Sequence, residues 1–457
     1  LARIHKYRKQ QKFMKENNQL DNNHSDNDDP STGRRRFIQQ SLLGVAGAGM
    51  AITSITHVAV AAESPTGEIP ASQEITDEID VLVVGGGSAG TIAAIQAGRA
   101  GARTLVMERA SYLGGMTTRG GVSYPGLFDA WGKQIIAGIG WELVKECVEL
   151  DGGELPDFTK VPKRHWMNQV HINQFLYYVL AEEKCAQAGV RIAFHEFPQQ
   201  IKKTADGWQV DCVGFGTRRR VLCKQIVDCT GGAEIAGMLG HPRLREEETQ
   251  PGSIQFLLGE ANNPGRPSKK NIGLLEAIYV HGADSTNSRT VTEACLTGRK
   301  AVLNKMRKTK KRLMHLQPEP GFRESYRIEG ETIITVNDYT SGRFFDDAIC
   351  YAFYPVDLHT KNGVRPKQLK PGTVPTIPLR ALIPKGSRNI IVAGRCVSSD
   401  RLANSGLRVQ APCMAMGQAA GVAAALAAKK GTTPLEVPIA EIHQLLAQHG
   451  AIIPSKG

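Results

Sequence analysis

Two short stretches in the second half of the chain gather side chains able to move a proton. In "YPVDLH", Asp357 and His359 stand one residue apart, a spacing that turns both toward the same side of an extended strand. A carboxylate so placed orients the imidazole as a base for the proton of a hydroxyl or an amine. In "FRESYRI", Arg323, Glu324, Ser325 and Arg327 crowd together, and such a cluster suits hydrogen bonding to a carboxylate or to vicinal hydroxyls. Each stretch also has a purely structural reading: an Arg–Glu brace between domains, and a His–Asp pair ending a strand. Arg323 and His359 are the candidate reacting groups.

The elements that must position them begin far upstream, in "VLVVGGGSAG". Apart from Asp80, Ile79 to Val84 are apolar and mostly β-branched, as a strand buried on both faces requires. Gly85, Gly87 and Gly90 follow with GxGxxG spacing, and "SAGTIAAIQAGRAG" reads as a small-residue helix opened by Ser88 and Ala89. The first glycine allows a tight turn, the second lets the backbone approach a pyrophosphate, and the third lets helix and strand pack closely. Phosphates then face the free N–H groups of the helix start, with Ser88 among the expected contacts. "RTLVMER" supplies a second strand, and its Glu108 stands where a carboxylate grips a ribose diol.

Three later segments decide which dinucleotide is bound. "RASYLGGMTTRGG" offers Gly114 and Gly115 with Thr117 and Thr118 to a second phosphate and a ribityl chain, an extension that a nicotinamide enzyme does not need. "KQIVDCTGGAE" runs a strand into Thr230, Gly231 and Gly232, and "SRNIIVAGRCVSSD" runs another into Gly394 and Arg395. The helix "RVQAPCMAMGQAAGVAAALAA" follows, with Gly417 and Gly421 permitting close packing and an N-terminal dipole available to a flavin's N1–C2=O edge. Together and in this order they select FAD.

From Ile79 to about Pro454 the chain resembles the FAD-dependent oxidoreductase family related to fumarate reductase flavoproteins, in the two-dinucleotide-binding-domain class. The resemblance is carried by VLVVGGGSAG, LGGMTT, VDCTGG, "DYTSGRFFDDAICYAFYPVDLH" and the block "IPLRALIPKGSRNIIVAGRCVSSDRLANSGLRVQAPCMAMGQAAG". It implies cofactor contacts at Gly85, Gly87, Ala89, Gly90, Glu108, Arg109, Gly115, Met116, Thr118, Thr230, Gly231, Arg395 and Arg408. Two positions depart from the family pattern. TGGAE stands where TGDGD is frequent, so no acid role transfers to Glu234; Arg401 stands where many members have histidine, so no catalytic histidine transfers there.

The expected fold class is α/β: a Rossmann-like FAD-binding domain with a central parallel sheet, plus an inserted α+β substrate domain. The boundaries read as a leader and signal over 1–62, the FAD-binding domain over 63–240 and 376–457, and the substrate or capping domain over 241–375. Residues 1–33 are too polar to pack. Arg34 and Arg35, then Phe37 and Ile38, precede a mild apolar stretch closing on Val60, Ala61 and Ala62, the layout of a twin-arginine export signal. A basic anchor or a transmembrane helix is the competing reading of that stretch. With Leu1 where methionine is expected, the leader's length stays open. The expected location is periplasmic. No second long apolar run is expected, so no permanent membrane span should remain after cleavage.

The 457 residues hold 56 basic and 44 acidic side chains, a net +12, which permits anionic partners without requiring them. Arg299, Lys300, Lys305, Arg307, Lys308, Lys310, Lys311 and Arg312 form a basic run, read as a solvated helical face or as a docking patch for an electron acceptor. It lacks interleaved aromatics, which excludes nucleic acid as the expected partner. The nine cysteines include no CxxC pair and several read as buried structural residues. There is no second GxGxxG for NADPH and no redox CxxxxC, and no iron–sulfur, haem or metal motif appears. Electrons must therefore leave to oxygen, a quinone or a separate protein. The expected activity is hydride exchange between flavin N5 and a small polar molecule, oxidising an alcohol or sugar-like hydroxyl with His359 as base. The alternative is reduction of an unsaturated carboxylate with Arg323 or Arg401 as proton donor, and a non-catalytic flavin-binding factor is the third reading.

Overall fold

The run Ile79–Val84 forms the end of strand β1 (Gln73–Val84), and Val81, Leu82, Val83 and Val84 are at most 1% exposed. Burial on both faces is what a strand in the middle of a covered parallel sheet requires. This computed structural model describes residues 73–259, 274–361, 363–364 and 366–456. The expected leader and twin-arginine signal lie outside the described residues.

Chain reversal after β1 is made by α1 (Ser88–Arg99), which leads into β2 (Thr104–Glu108). Further along come β3 (Arg191–Phe194), β4 (Phe197–Lys203), β5 (Trp208–Gly214) and β6 (Thr217–Asp228). The sheet order is β3-β2-β1-β6-β5-β4. Parallel pairing joins β3 to β2, β2 to β1 and β1 to β6, the last in the register Val84↔Asp228. Only the N-terminal half of β6 pairs with β5, antiparallel from Thr217 to Cys223.

Between β6 and the return to this sheet, the chain builds a three-stranded antiparallel sheet from β7 (Gly252–Gly259), β8 (Leu274–Val280) and β9 (Arg312–Leu316), in the order β8-β7-β9. Helix α2 (Ser288–Met306) covers it, with Ala294 and Val302 in the same buried cluster as Ile254, Phe256 and Leu258. The remaining half of β6 is then taken by β10 (Ile390–Val392), parallel, with Ile390 beside Ile226. The carboxyl ends of β1, β2, β6 and β10 thus converge on one edge, where open α/β sheets bind ligands. The described residues cluster as one compact unit.

After β10 come α3 (Arg401–Leu407) and α4 (Gln410–Lys430). The expectation of no second long apolar run is corrected here: α4 is long and apolar enough to cross a membrane. In the fold 89% of that apolar window is buried, because its alanines and glycines press against α1. A Cβ on Gly417 would run into the carbonyl of Ala89, and one on Gly421 into that of Ala93. All nine cysteines are buried and unpaired.

Candidate functional site

Strands β1, β2, β6 and β10 each hand a turn to one cavity of about 510 Å³. At the first turn Gly85 adopts φ +94°, a conformation that side chains disfavour. Gly87, Ser88 and Ala89 follow along the cavity wall, so the start of α1 opens into it. Gly90 does not line it. A Cβ there would collide with the Gly85 carbonyl, so its expected cofactor contact is corrected to a packing role. Glu108 lines the cavity from the end of β2, taking N–H bonds from Gly86 at 2.7 Å and Ala110 at 2.9 Å. Arg119 Nη1 stands 3.3 Å from the same carboxylate.

Gly115 and Met116 line the cavity, but Thr118 does not. Its hydroxyl donates to the Leu113 carbonyl at 2.8 Å, closing the Gly114–Gly115 turn, so a cofactor contact by Thr118 is corrected to support of that turn. Thr117 is held likewise, by Gln410 at 2.8 Å and Ser88 at 2.9 Å. At the end of β6, Asp228 accepts from Thr230 N at 3.1 Å and Thr230 Oγ1 at 2.7 Å, which fixes Thr230 and Gly231 at the wall. Arg395 follows β10 and lines the cavity as well; it donates to the carbonyls of Gly231 at 2.9 Å and Phe322 at 2.7 Å. Burial lowers its pKa to about 10. Arg109 lines the wall 3.7 Å from Glu234, whose carboxyl burial raises to about 7 against the pull of Arg109.

The two candidate stretches divide. Arg323 and His359 reach the cavity, with Asp357 beside them. His359 opens a strand of only two residues, yet its Nε2 lies 3.0 Å from Asp357 Oδ2. Its Nδ1 lies 2.8 Å from the Tyr279 hydroxyl, and its backbone N–H donates to Gln250 at 3.1 Å. Burial pushes the Asp357 carboxyl up, but the hydrogen bond to His359 and the charges of His359, Arg408 and Arg323 outweigh it and keep it below the usual range. An ionised Asp357 accepts the hydrogen bond from Nε2–H, leaving Nδ1 to accept from Tyr279. Burial lowers the His359 pKa, the bond to Asp357 opposes this, and Arg323 and Arg408 lower it again; the net position is below 6.5.

Arg401 is corrected. It does not line the cavity: its guanidinium grips buried Glu324 at 2.9 and 3.0 Å and donates to the Glu248 carbonyl at 2.6 Å. A carboxylate 2% exposed needs such a partner, and Glu324 also accepts from Gln250 N at 2.9 Å. Arg327 stands on the same network, donating to Ser399 and Glu246 at 3.0 Å. Glu324 and Arg327 therefore brace the wall from behind. Tyr124, Gln169, Gln255, Tyr279 and Tyr354 escape the sequence reading, although the first two, Gln255 and Tyr354 line the cavity. "GVSYPG", directly after the second glycine turn, is the sequence signal that points to Tyr124.

The wall suits an anionic dinucleotide. Two helix starts open onto it, Gly87–Ala89 of α1 and Val409–Gln410 of α4, and neither has an acidic residue in its first turn, the condition under which a helix N-terminus takes an anion. Among the described residues, the buried Ser253 Oγ, Gln255 Oε1 and Arg408 Nε on this wall lack hydrogen-bond partners.

A family model described as FAD dependent oxidoreductase matches residues 80–300 and 262–446. The chain belongs to this family. It is an enzyme whose cofactor is FAD, and the glycine turns, Glu108, Arg395 and the two helix starts are the residues that would hold it. The chain is similar to a pseudooxynicotine dehydrogenase from a Pseudomonas species, 34% identical over 84 residues, which are 18% of this chain and 17% of that one. This chain thus spans under a fifth of that relative. Among solved structures it is similar to OxyS anhydrotetracycline hydroxylase from Streptomyces rimosus (18% identity, 48% of each chain, TM-score 0.33). It is also similar to a flavoprotein/dehydrogenase from Cytophaga hutchinsonii (13% identity, 81% and 83% of the two chains, TM-score 0.40).

Proposed function

We propose that this FAD-dependent oxidoreductase oxidises a hydroxyl group of a small polar molecule, and that the cavity wall around His359 is where the hydroxyl binds. The observation that carries this reading is the chain Tyr279–His359–Asp357, with contacts of 2.8 and 3.0 Å, beside a cavity built for FAD. When bound, FAD supplies the acceptor for the two electrons and hydrogen that leave the carbinol carbon. The protein manages the remaining proton. Asp357 fixes the imidazole with its basic lone pair on Nδ1, and the Tyr279 hydroxyl hands its own proton to Nδ1 as it takes the one from substrate. A histidine neutral at pH 7 is ready for that step. Arg323 anchors the substrate's polar end.

We further propose that Arg34 and Arg35 direct export by the twin-arginine route to the periplasm, where a separate acceptor, oxygen, a quinone or a protein, removes the electrons. Reduction of an unsaturated carboxylate is the second reading. It is favoured by Arg323, which burial and the nearby Arg408 bring to a pKa of about 10, within reach of proton donation. One experiment separates the two. The purified protein, mixed anaerobically with polyols and sugars, is expected to lose its oxidised flavin absorbance; bleaching by none of them, with reoxidation of chemically reduced protein by fumarate-like acids, would sink the first reading.

A further inference from the structure

Arg323 and Arg408 are placed in the cavity as two cations that share the charge of one nearby carboxylate, Asp357. Arg323 Nη1 donates to the Pro251 carbonyl at 2.6 Å, and its guanidinium stands 5.3 Å from the centre of the Tyr279 ring. Among the described residues, Arg408 Nη2 reaches only the Gln250 side-chain oxygen at 3.4 Å and the Asp357 carbonyl at 3.3 Å. Its Nε is buried with no partner among the described residues. Among those residues neither guanidinium forms an ion pair with a carboxylate, whereas Arg401 and Arg119 are both paired. Asp357, which faces both, is committed to His359. Burial lowers the pKa of each arginine, and the charge of Arg408 lowers that of Arg323 further.

Two desolvated guanidiniums with spare donors cost free energy unless a ligand brings the opposite charge. Both are tied to the proposed base. Gln250 Oε1 accepts from Arg408 and from the His359 backbone N–H, and Tyr279 touches both Arg323 and His359. Ser253 Oγ and Gln255 Oε1, also unpartnered, lie on the same wall.

The geometry points to a substrate that carries a carboxylate, bound by Arg323 and Arg408 beside His359: a hydroxy acid rather than a neutral alcohol or polyol. This rests on the reading of the His359 wall as the substrate wall. A guanidinium offers parallel N–H donors to a carboxylate, so the recognition is directional and is lost in part even when lysine keeps the charge.

The test uses matched pairs and the FAD-loaded protein: lactate against propane-1,2-diol, and glycerate against glycerol, in anaerobic flavin reduction. The acid of each pair is expected to reach half-maximal reduction rate at a concentration at least about ten-fold lower than its neutral partner. Arg323→Gln should bring that preference to within about two-fold of unity, and Arg323→Lys should restore part of it. A neutral partner that matches its acid, or a preference that survives Arg323→Gln, overturns the proposal. A second readout does not depend on turnover. Acetate, which has no hydroxyl to oxidise, is expected to perturb the flavin absorbance of the resting protein at constant ionic strength, and Arg323→Gln should abolish the effect. If no hydroxyl compound reduces the flavin while acetate still binds through Arg323, the oxidation reading fails and the carboxylate site stands. If the diols reduce the flavin while acetate has no effect, the carboxylate site is overturned and the oxidation reading stands.

Discussion

Both ring nitrogens of His359 are engaged, and this decides how the residue works. With Nε2 given to Asp357 and Nδ1 to Tyr279, the proposed proton uptake runs by way of the phenol. Tyr279→Phe removes the hydroxyl and leaves the ring, so it should slow flavin reduction by about 10- to 100-fold with FAD content unchanged; an unaltered rate in stopped-flow would remove Tyr279 from the path. Spacing within "YPVDLH" reveals Asp357 and His359, because two residues in a row of side chains are local information. Tyr279 and Gln250 come from 80 and 109 residues earlier in the chain, so no local pattern marks them. The bracing role of Arg401 is hidden for the same reason: its partner Glu324 is a tertiary neighbour. Glu234 offers a separate check. Burial holds its carboxyl at about 7, above the ordinary value of 4.5. The folded state therefore keeps a proton that the unfolded chain loses, and the associated stability is complete below about 4.5 and declines as pH rises through 7. Glu234→Gln removes that dependence. Its stability relative to the parent, measured by urea unfolding of the apoprotein, should grow between pH 5 and 8 toward a limit of about 3 kcal/mol; a difference that does not change with pH would contradict the assignment.

At the scale of elements, the cavity depends on α1 being clamped between the sheet and α4. Gly417 and Gly421 let α4 approach the backbone of α1 at Ala89 and Ala93, the helix whose first turn forms part of the cavity wall. Gly421→Val pushes a branched side chain into that seam, and it should cost at least about 2 kcal/mol and weaken FAD retention, read by urea unfolding and by flavin released on gel filtration. The strands and both helices are legible in the sequence because buried parallel strands are continuous apolar runs and glycines mark close contacts. What α4 does in the fold is less so. By composition it passes for a membrane span, and only its burial among α1 and the sheet shows it to be a core helix. The small sheet β8-β7-β9, which contributes Tyr279, Ser253 and Gln255, is equally hidden, since its strands mix polar and apolar residues without a strict alternation.

For the whole molecule, the charge balance inside the cavity links cofactor and substrate. Arg119 is paired with Glu108 and Arg109 stands near Glu234, while Arg323, Arg395 and Arg408 hold neutral partners. The anionic cofactor and the proposed anionic substrate would complete that set. The export proposal is tested at the same scale. Replacing Arg34 and Arg35 with lysine should leave the FAD-loaded protein in the cytoplasm, and cell fractionation with unchanged periplasmic protein would contradict it. The central claim, that His359 is the base that draws off the substrate proton by way of Tyr279, is tested most directly by the pH dependence of anaerobic flavin reduction in the parent and in His359→Gln. The parent rate should rise with pH along a limb whose midpoint in the free enzyme lies below 6.5, because the imidazole must be neutral to act. In His359→Gln that limb should vanish and the rate fall by about 100-fold or more, with FAD bound as before. An identical limb and rate in the two proteins would show that the proton goes elsewhere.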